Sequence, residues 1–254
     1  MSGTLYVVAT PIGNLEDITL RALRTMREVD VIAAEDTRRT AKLLNHHGIS
    51  TSTVSFHAHN TRSRLPELLA RLRRGESVAL VSDAGTPLLS DPGLELVGAC
   101  IEAGITIEPI PGASAPLSAL VVSGFPAHPV TFLGFAPSRA NERIAWLKEL
   151  AAIPHTVVFF EAPHRVAALL KNAAHILDNC PLLVARELRK LHQALHRGTA
   201  SQLVDSPINM RGEFTVAVGP GHQMTDSQNV TFDLSQVVTD FSHKNDTMSQ
   251  LLGS

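Results

Sequence analysis

Short apolar runs that close in Gly, Pro or charged turns and then give way to amphipathic helical patterns recur along this chain, and that alternation most constrains its fold. Residues 5–9 run into Thr10-Pro11-Ile12-Gly13-Asn14-Leu15, and residues 29–34 stop at Glu35-Asp36-Thr37-Arg38-Arg39. Residues 53–57 and 78–81 repeat the pattern, and residues 105–110 end in Pro111-Gly112-Ala113-Ser114-Ala115. Between them lie helical stripes. One carries Ile18, Leu20, Ala22, Leu23 and Met26 behind Asp17 as a cap; a second starts at Asp36 or Thr37 and runs through Leu44; a third, over 62–74, carries Leu65, Leu68, Leu69 and Leu72. Further helical patterns cover about 94–103 and run on to about residue 123. Such alternation predicts a parallel or mixed sheet with helices on both faces and a ligand site outside the carboxyl ends of the strands.

The turn over residues 79–93, ALVSDAGTPLLSDPG, is the most pointed of these strand ends. Backbone this rich in Gly and Pro is suited to close approach of a ligand, and it also suits an ordinary strand-to-helix loop. Periodicity breaks at Gly124-Phe125-Pro126-Ala127-His128-Pro129, and a new strand follows at 130–133. This predicts two α/β domains, residues 1–124 and 125–220. The second should hold a helix through Trp146 and Leu150, a strand 155–160 ending in Glu161, and a helix with Val166, Leu169, Leu170 and Ile176 on one face. A strand 181–185 ending at Arg186-Glu187-Leu188, a short helix 199–204 and a last strand opened by Gly212-Glu213-Phe214 complete it. Residues 221–254 read as a polar connector and a short helix that is peripheral or contacts a second copy, with Leu234, Val237, Val238, Phe241, Met248, Leu251 and Leu252 in its stripe.

A net charge of −2 excludes a wholly basic nucleic-acid binder, so any RNA contact must be local, as at Arg71, Arg73 and Arg74 or at Arg186, Arg189 and Lys190. Aromatic residues make up only 4%, which argues against an RNA surface of stacked aromatic platforms. Cys100 and Cys180 are widely separated and no apolar run has transmembrane length; a disulfide framework is not expected, and the cytoplasm is the expected compartment, with no membrane partner. Neither G-x-G-x-x-G after a strand nor G-x-x-x-x-G-K-[ST] occurs, so a standard dinucleotide or P-loop site is not expected. His57-Ala58-His59 sets two imidazoles on one side of a strand end, as some metal hydrolases do and as surface histidines also do; no metal is assigned. Ser82, Ser90 and Ser114 lack a nucleophile-elbow setting. The arginines of 62–74 are read as a solvated face, with phosphate binding as the alternative. Pattern alone therefore reaches a two-domain α/β protein with polar clusters closing its strands around a cleft.

The motifs reach further. Residues 3–18, GTLYVVATPIGNLEDI, together with AEDTR at 34–38, LVSDAGTP at 80–87, DPG at 91–93, PGASA at 111–115, FEAPHR at 160–165, AREL at 185–188 and GEF at 212–214, closely resemble the ribosomal RNA small subunit methyltransferase I family. Those enzymes are of the tetrapyrrole-methylase type and depend on S-adenosyl-L-methionine. The resemblance spans about residues 3–220 in unbroken order. It implies a two-domain tetrapyrrole-methylase-like fold, each domain a mixed sheet flanked by helices, with the methyl donor in the cleft between them, and a homodimer. It also implies 2′-O-methylation of a cytidine ribose in the decoding region of 16S ribosomal RNA, free or in the assembled small subunit. By position, the donor should touch Pro11, Asp83, Gly85, Thr86, Pro87, Ser114 and Ala115 from the first domain. Glu161, Ala162, Leu188, Gly212, Glu213 and Phe214 should cover it from the second. Glu187, Asp36 and Glu35 are the candidates for assisting the ribose hydroxyl, and Arg38, Arg39, Arg186 and Lys190 for holding RNA phosphates. Glu187 and Arg186 could equally form a structural ion pair. Arg189 precedes Lys190 where relatives usually carry Thr before Lys, and Arg211 stands where they carry Lys, so neither departure removes positive charge. The competing readings are methylation of a small tetrapyrrole or corrinoid, and a non-catalytic RNA-binding assembly protein.

Overall fold

The structure, a computed structural model, describes residues 2–177 and 180–221. Its first half is organised by strands whose residues are apolar on both sides. Strands β1 (Thr4–Val8), β2 (Val31–Ala34), β3 (Thr53–Ser55), β4 (Val78–Val81) and β5 (Thr106–Ile110) form a sheet in the order β3-β2-β4-β1-β5. Every pairing in it is parallel. Successive side chains point to opposite faces, so β2 and β4 feed two cores at once. Ile32, Ala34, Ala79 and Val81 pack with Ala22 and Met26 of α1 (Leu20–Glu28) and Leu43 and Leu44 of α2 (Thr37–His46). Val31, Ala33, Val78 and Leu80 pack with Leu68 and Leu72 of α3 (Thr61–Arg73) and Leu96 and Cys100 of α4 (Leu94–Glu102).

The second sheet mixes directions. Strands β6 (Val130–Phe135), β7 (Thr156–Glu161), β8 (Pro181–Arg186), β9 (Ala194–Thr199) and β10 (Phe214–Val218) take the order β6-β7-β10-β8-β9. Only β6 and β7 run parallel among these pairs. One face is covered by α6 (Ala140–Ala151), α7 (Val166–Ile176) and α8 (Ala200–Val204), through Leu147, Leu150, Leu169, Leu170 and Leu203. The other receives α5 (Ala115–Ser123), whose Ala119 and Leu120 pack with Val158, Leu183, Ala185 and Ala217. Thus α5 follows β5 in the chain but packs on the second sheet, and residues 1–221 cluster as one compact unit. Gly124, in the left-handed region at φ 81°, ends α5 where the sequence places the break.

Local chemistry corrects some expected boundaries. Asp17 does not cap α1: it lies in a single 3-10 turn, and Thr19 takes the cap, accepting the Ala22 N–H at 3.1 Å. Leu20, expected on the buried face, is 87% exposed because it opens the helix on its outer side. Strand β9 is added to the elements that periodicity predicts; its polar edge sequence ALHRGT carries no alternation that marks a strand. The short helix expected at 199–204 forms as α8, with Thr199 and Gln202 as a capping box. The connector and helix expected over 221–254 lie outside the described residues, Gly221 apart.

Candidate functional site

The carboxyl ends of β2, β4, β1 and β5 release their loops on one edge of the first sheet. In the second sheet Glu161, Phe214 and Arg186 stand side by side in register, so the end of β7, the start of β10 and the end of β8 also share an edge. A cavity of about 380 Å³ is lined from both sets, by Glu35, Asp83, Gly85, Thr86 and Ser114 on one side and by Phe160, Glu161, Leu188 and Phe214 on the other. That volume and amphipathic wall suit a ligand of nucleoside size or larger.

Its floor is tied by backbone. Thr10 and Gly85 exchange N–H···O bonds of 2.9 and 3.0 Å, and the Thr86 hydroxyl donates to the Ala113 carbonyl at 3.2 Å. Gly85 sits at φ +84°, and a Cβ there would lie 3.3 Å from Ile12 Cγ2, which explains why this turn carries glycine. Two charged loops lock each other: Glu35 Oε2 accepts the Asp83 N–H at 3.1 Å, and Asp83 Oδ1 accepts the Asp36 N–H at 3.0 Å. Arg39 Nη1 lies 3.3 Å from Asp83 Oδ2. Burial pushes the carboxyls of both Glu35 and Asp83 above the ordinary range; the backbone bond to Glu35 and the Arg39 charge beside Asp83 oppose this.

Two polar atoms on the cavity wall are buried without a hydrogen-bond partner, Ser114 Oγ and Glu161 Oε2. Ser114 stands at the N-cap of α5 but makes no side-chain cap bond. Glu161, with its side chain wholly buried, uses its other oxygen for the Ala162 N–H and Arg165 Nε, both at 2.7 Å. Burial raises the Glu161 carboxyl despite that bond and the arginine. Unpaired buried polar atoms are costly, and a polar ligand in the cavity would satisfy both.

Ala115, Ala162 and Glu213 also line this cavity. Pro11 instead lines a neighbouring hollow of about 190 Å³, which shares Arg39 and Asp83 with the first. Pro87 and Gly212 line neither. Asp36 turns to its own helix: it caps α2 through the Arg38 N–H at 2.8 Å and pairs with the Arg38 guanidinium at 2.9 Å, which lowers its carboxyl to about 2. Glu187 lies outside the cavity, accepting the Glu213 N–H at 2.8 Å and the Lys190 ammonium at 2.9 Å. These contacts outweigh its burial and lower its carboxyl. Lys190 also reaches Glu213 Oε2 at 2.9 Å. Arg186 donates to the Arg211 and His192 carbonyls at 2.6 and 2.9 Å, and Arg189 grips Asp17 with two bonds of 2.8 and 2.7 Å. The His57 and His59 rings lie 5.9 Å apart, and among the described residues no group of three or more potential ligands could hold a metal ion.

Sequence reasoning passed over Asp91, Leu89, Phe135 and Phe160 as lining residues. Phe160 and Asp91 stand inside quoted motifs, so the signal was present. Phe135 had none; it comes from a register shift in β6 between Phe132 and Phe135.

The Tetrapyrrole (Corrin/Porphyrin) Methylases profile matches residues 4–204. The crystal structure of uroporphyrin-III C-methyltransferase from Thermus thermophilus complexed with S-adenyl homocysteine is similar with a TM-score of 0.61, covering 86% of this chain and 98% of that one at 19% identity. Ribosomal RNA small subunit methyltransferase I of Halalkalibacterium halodurans is 43% identical over 95% of this chain and 84% of its own length. The protein of that name from Thermotoga maritima is 46% identical over 85% of this chain and 98% of its own. The chain therefore belongs to the tetrapyrrole methylases and, within them, to the ribosomal RNA small subunit methyltransferase I family.

Proposed function

We propose that this protein transfers the methyl group of S-adenosylmethionine to the ribose 2′-hydroxyl of a cytidine in the decoding region of small-subunit ribosomal RNA. The observation that carries the reading is the cavity joining the SDAGTP, PGASA, FEA and GEF motifs, with Ser114 Oγ and Glu161 Oε2 unpaired on its amphipathic wall. The donor fits that wall: its amino acid and ribose hydroxyls would satisfy the two atoms, while Ala115, Ala162, Leu188 and Phe214 would enclose its apolar parts. Gly85 and Thr86 would offer backbone.

When bound, the donor supplies an activated methyl group on a sulfonium. The protein's share is alignment and exclusion of water. Leu89, Phe135 and Phe160 supply apolar cover on the wall. Arg39, on the rim of both cavities, is best placed to meet a phosphate of the acceptor strand; Arg38 is exposed beside it. Arg186 and Lys190 are already held by protein groups, so their share is to shape the RNA-facing loop or to exchange partners with phosphate. Of the carboxylates considered for the hydroxyl, Glu35 lines the cavity, whereas Asp36 caps a helix and Glu187 anchors Lys190.

The same reading takes the working protein to be a cytoplasmic homodimer acting on RNA or on the assembled subunit. Among the described residues no helix is long and apolar enough to cross a membrane. Leu117 and Val121, one turn apart on α5, are 61% and 78% exposed, which suits a face covered by a second copy. It also keeps residues 1–124 and 125–220 as two domains, to be tested by limited proteolysis at 124–129. Incubating the protein with methyl-labelled donor and undermethylated small subunits, then mapping the labelled nucleoside, tests the activity. Label on a cytidine ribose is the expected result; label on a base would overturn the 2′-O assignment.

A further inference from the structure

Three carboxylates line the cavity from the first sheet, Glu35, Asp83 and Asp91, and they are not equivalent. Glu35 is spent on the Asp83 N–H, and Asp83 on the Asp36 N–H and Arg39. Asp91 faces the Ser82 hydroxyl, and among the described residues no cation pairs with it. The turn carrying it is strained: Leu88 and Ser90 adopt φ of 74° and 72°, unusual for residues with a Cβ, and Gly93 follows at 134°. That turn is held from two sides. A Cβ on Gly93 would lie 2.7 Å from Leu80 Cδ2, and one on Gly134 of β6 would lie 3.2 Å from Ser90 Oγ. Strain maintained by packing beside a cavity commonly serves to aim a reacting group.

We infer that Asp91 is the proton acceptor for the acceptor hydroxyl. The inference rests on the methyl-transfer reading above. As the new oxygen–carbon bond forms, the O–H bond breaks and its proton passes to the Asp91 carboxylate; the carbon–sulfur electron pair stays on sulfur, and the sulfonium becomes a neutral thioether. Charge balances, because one cation and one carboxylate are neutralised together. The groups facing Asp91 are the Ser82 hydroxyl and the Glu35 and Asp83 carboxylates, with Arg39 beyond Asp83 and Glu161 and Glu213 on the opposite wall. Burial first, and then the Glu35 and Asp83 charges, raise the Asp91 carboxyl to about 6 against the Ser82 bond. A base near that value is ionised at neutral pH and still holds a proton well enough to assist.

The test uses the full chain, undermethylated small subunits and Asp91→Asn, with Glu35→Gln as the second variant. Single-turnover rates of wild type should rise through a limb near pH 6. Asp91→Asn should be slower by about 100-fold or more and lose that limb, while binding S-adenosylhomocysteine within about threefold of wild type by calorimetry. Carbon-13 NMR of the ligand-free protein should show an aspartate carboxyl titrating near pH 6 that Asp91→Asn removes and Glu35→Gln moves to lower pH. An Asp91→Asn rate within about threefold of wild type, weakened product binding that matches its loss of rate, or a Glu35→Gln rate that falls equally far would overturn the assignment. If wild type itself transfers no methyl group to RNA, the functional reading fails, whereas the NMR titration still judges the carboxyl.

Discussion

At the scale of single residues, the site is defined by polar atoms whose partners are absent or shared. Ser114→Ala removes a buried hydroxyl that bonds nothing among the described residues, so the unfolding midpoint of the ligand-free protein should not fall, while donor affinity falls five- to tenfold, about 1–1.4 kcal/mol, by calorimetry. Asp91 predicts a pH-dependent effect of opposite kind. Its folded carboxyl lies above the unfolded value, so its ionisation costs stability progressively as pH rises from about 4 to about 6. Asp91→Asn should melt like wild type near pH 4 and higher above pH 6, by at most about 2 kcal/mol after allowance for solvent screening. Scanning calorimetry across that window checks the sign. Glu187 illustrates the contrast: it has the residue type of a base, yet its Oε1 accepts a backbone N–H and an ammonium.

At the scale of elements, turns and caps carry the specificity of the fold. Gly212, at φ 98°, leaves no room for a Cβ, which would come within 2.5 Å of the Glu187 side chain. Gly212→Ala should therefore destabilise by about 1–3 kcal/mol in urea unfolding and loosen the Glu187–Lys190–Glu213 cluster. Thr19→Ala removes the true cap of α1 and should cost about 1 kcal/mol, while Asp17→Ala should leave the helix intact and release Arg189. These two substitutions separate what periodicity finds from what it misses. The stripe of α1 was legible because Ala22 and Met26 recur at helical spacing, but the entry turn was not, since Asp17 and Thr19 are both acceptable caps and only the 3-10 turn decides between them. Likewise β2 and β4 were legible as apolar runs, whereas β9, an edge strand with half-exposed polar residues, needs its partner β8 to exist.

At the scale of the molecule, α5 links the two sheets: it follows β5 of the first and packs on the second, so its outward face offers Leu117 and Val121. If a second copy covers that face, Val121→Asp should shift sedimentation from dimer to monomer without altering the far-ultraviolet spectrum. The sequence by itself determined the order of the elements apart from β9, the break after residue 123, the family and the motifs that meet at the cavity, because each rests on short-range pattern or on runs of identical residues. Only the tertiary structure decided which carboxylates face that cavity and which are consumed by neighbouring N–H groups and cations. Glu35, Asp36, Asp83, Asp91 and Glu187 look alike along the chain. Their partners lie 47, 48 or 26 residues away, or nearby through a turn whose geometry no periodicity encodes. The stretch from Ser82 to Gly93 is thus recognisable in one dimension as a ligand turn, but it takes the packing of Leu80 and Gly134 around it to aim Asp91.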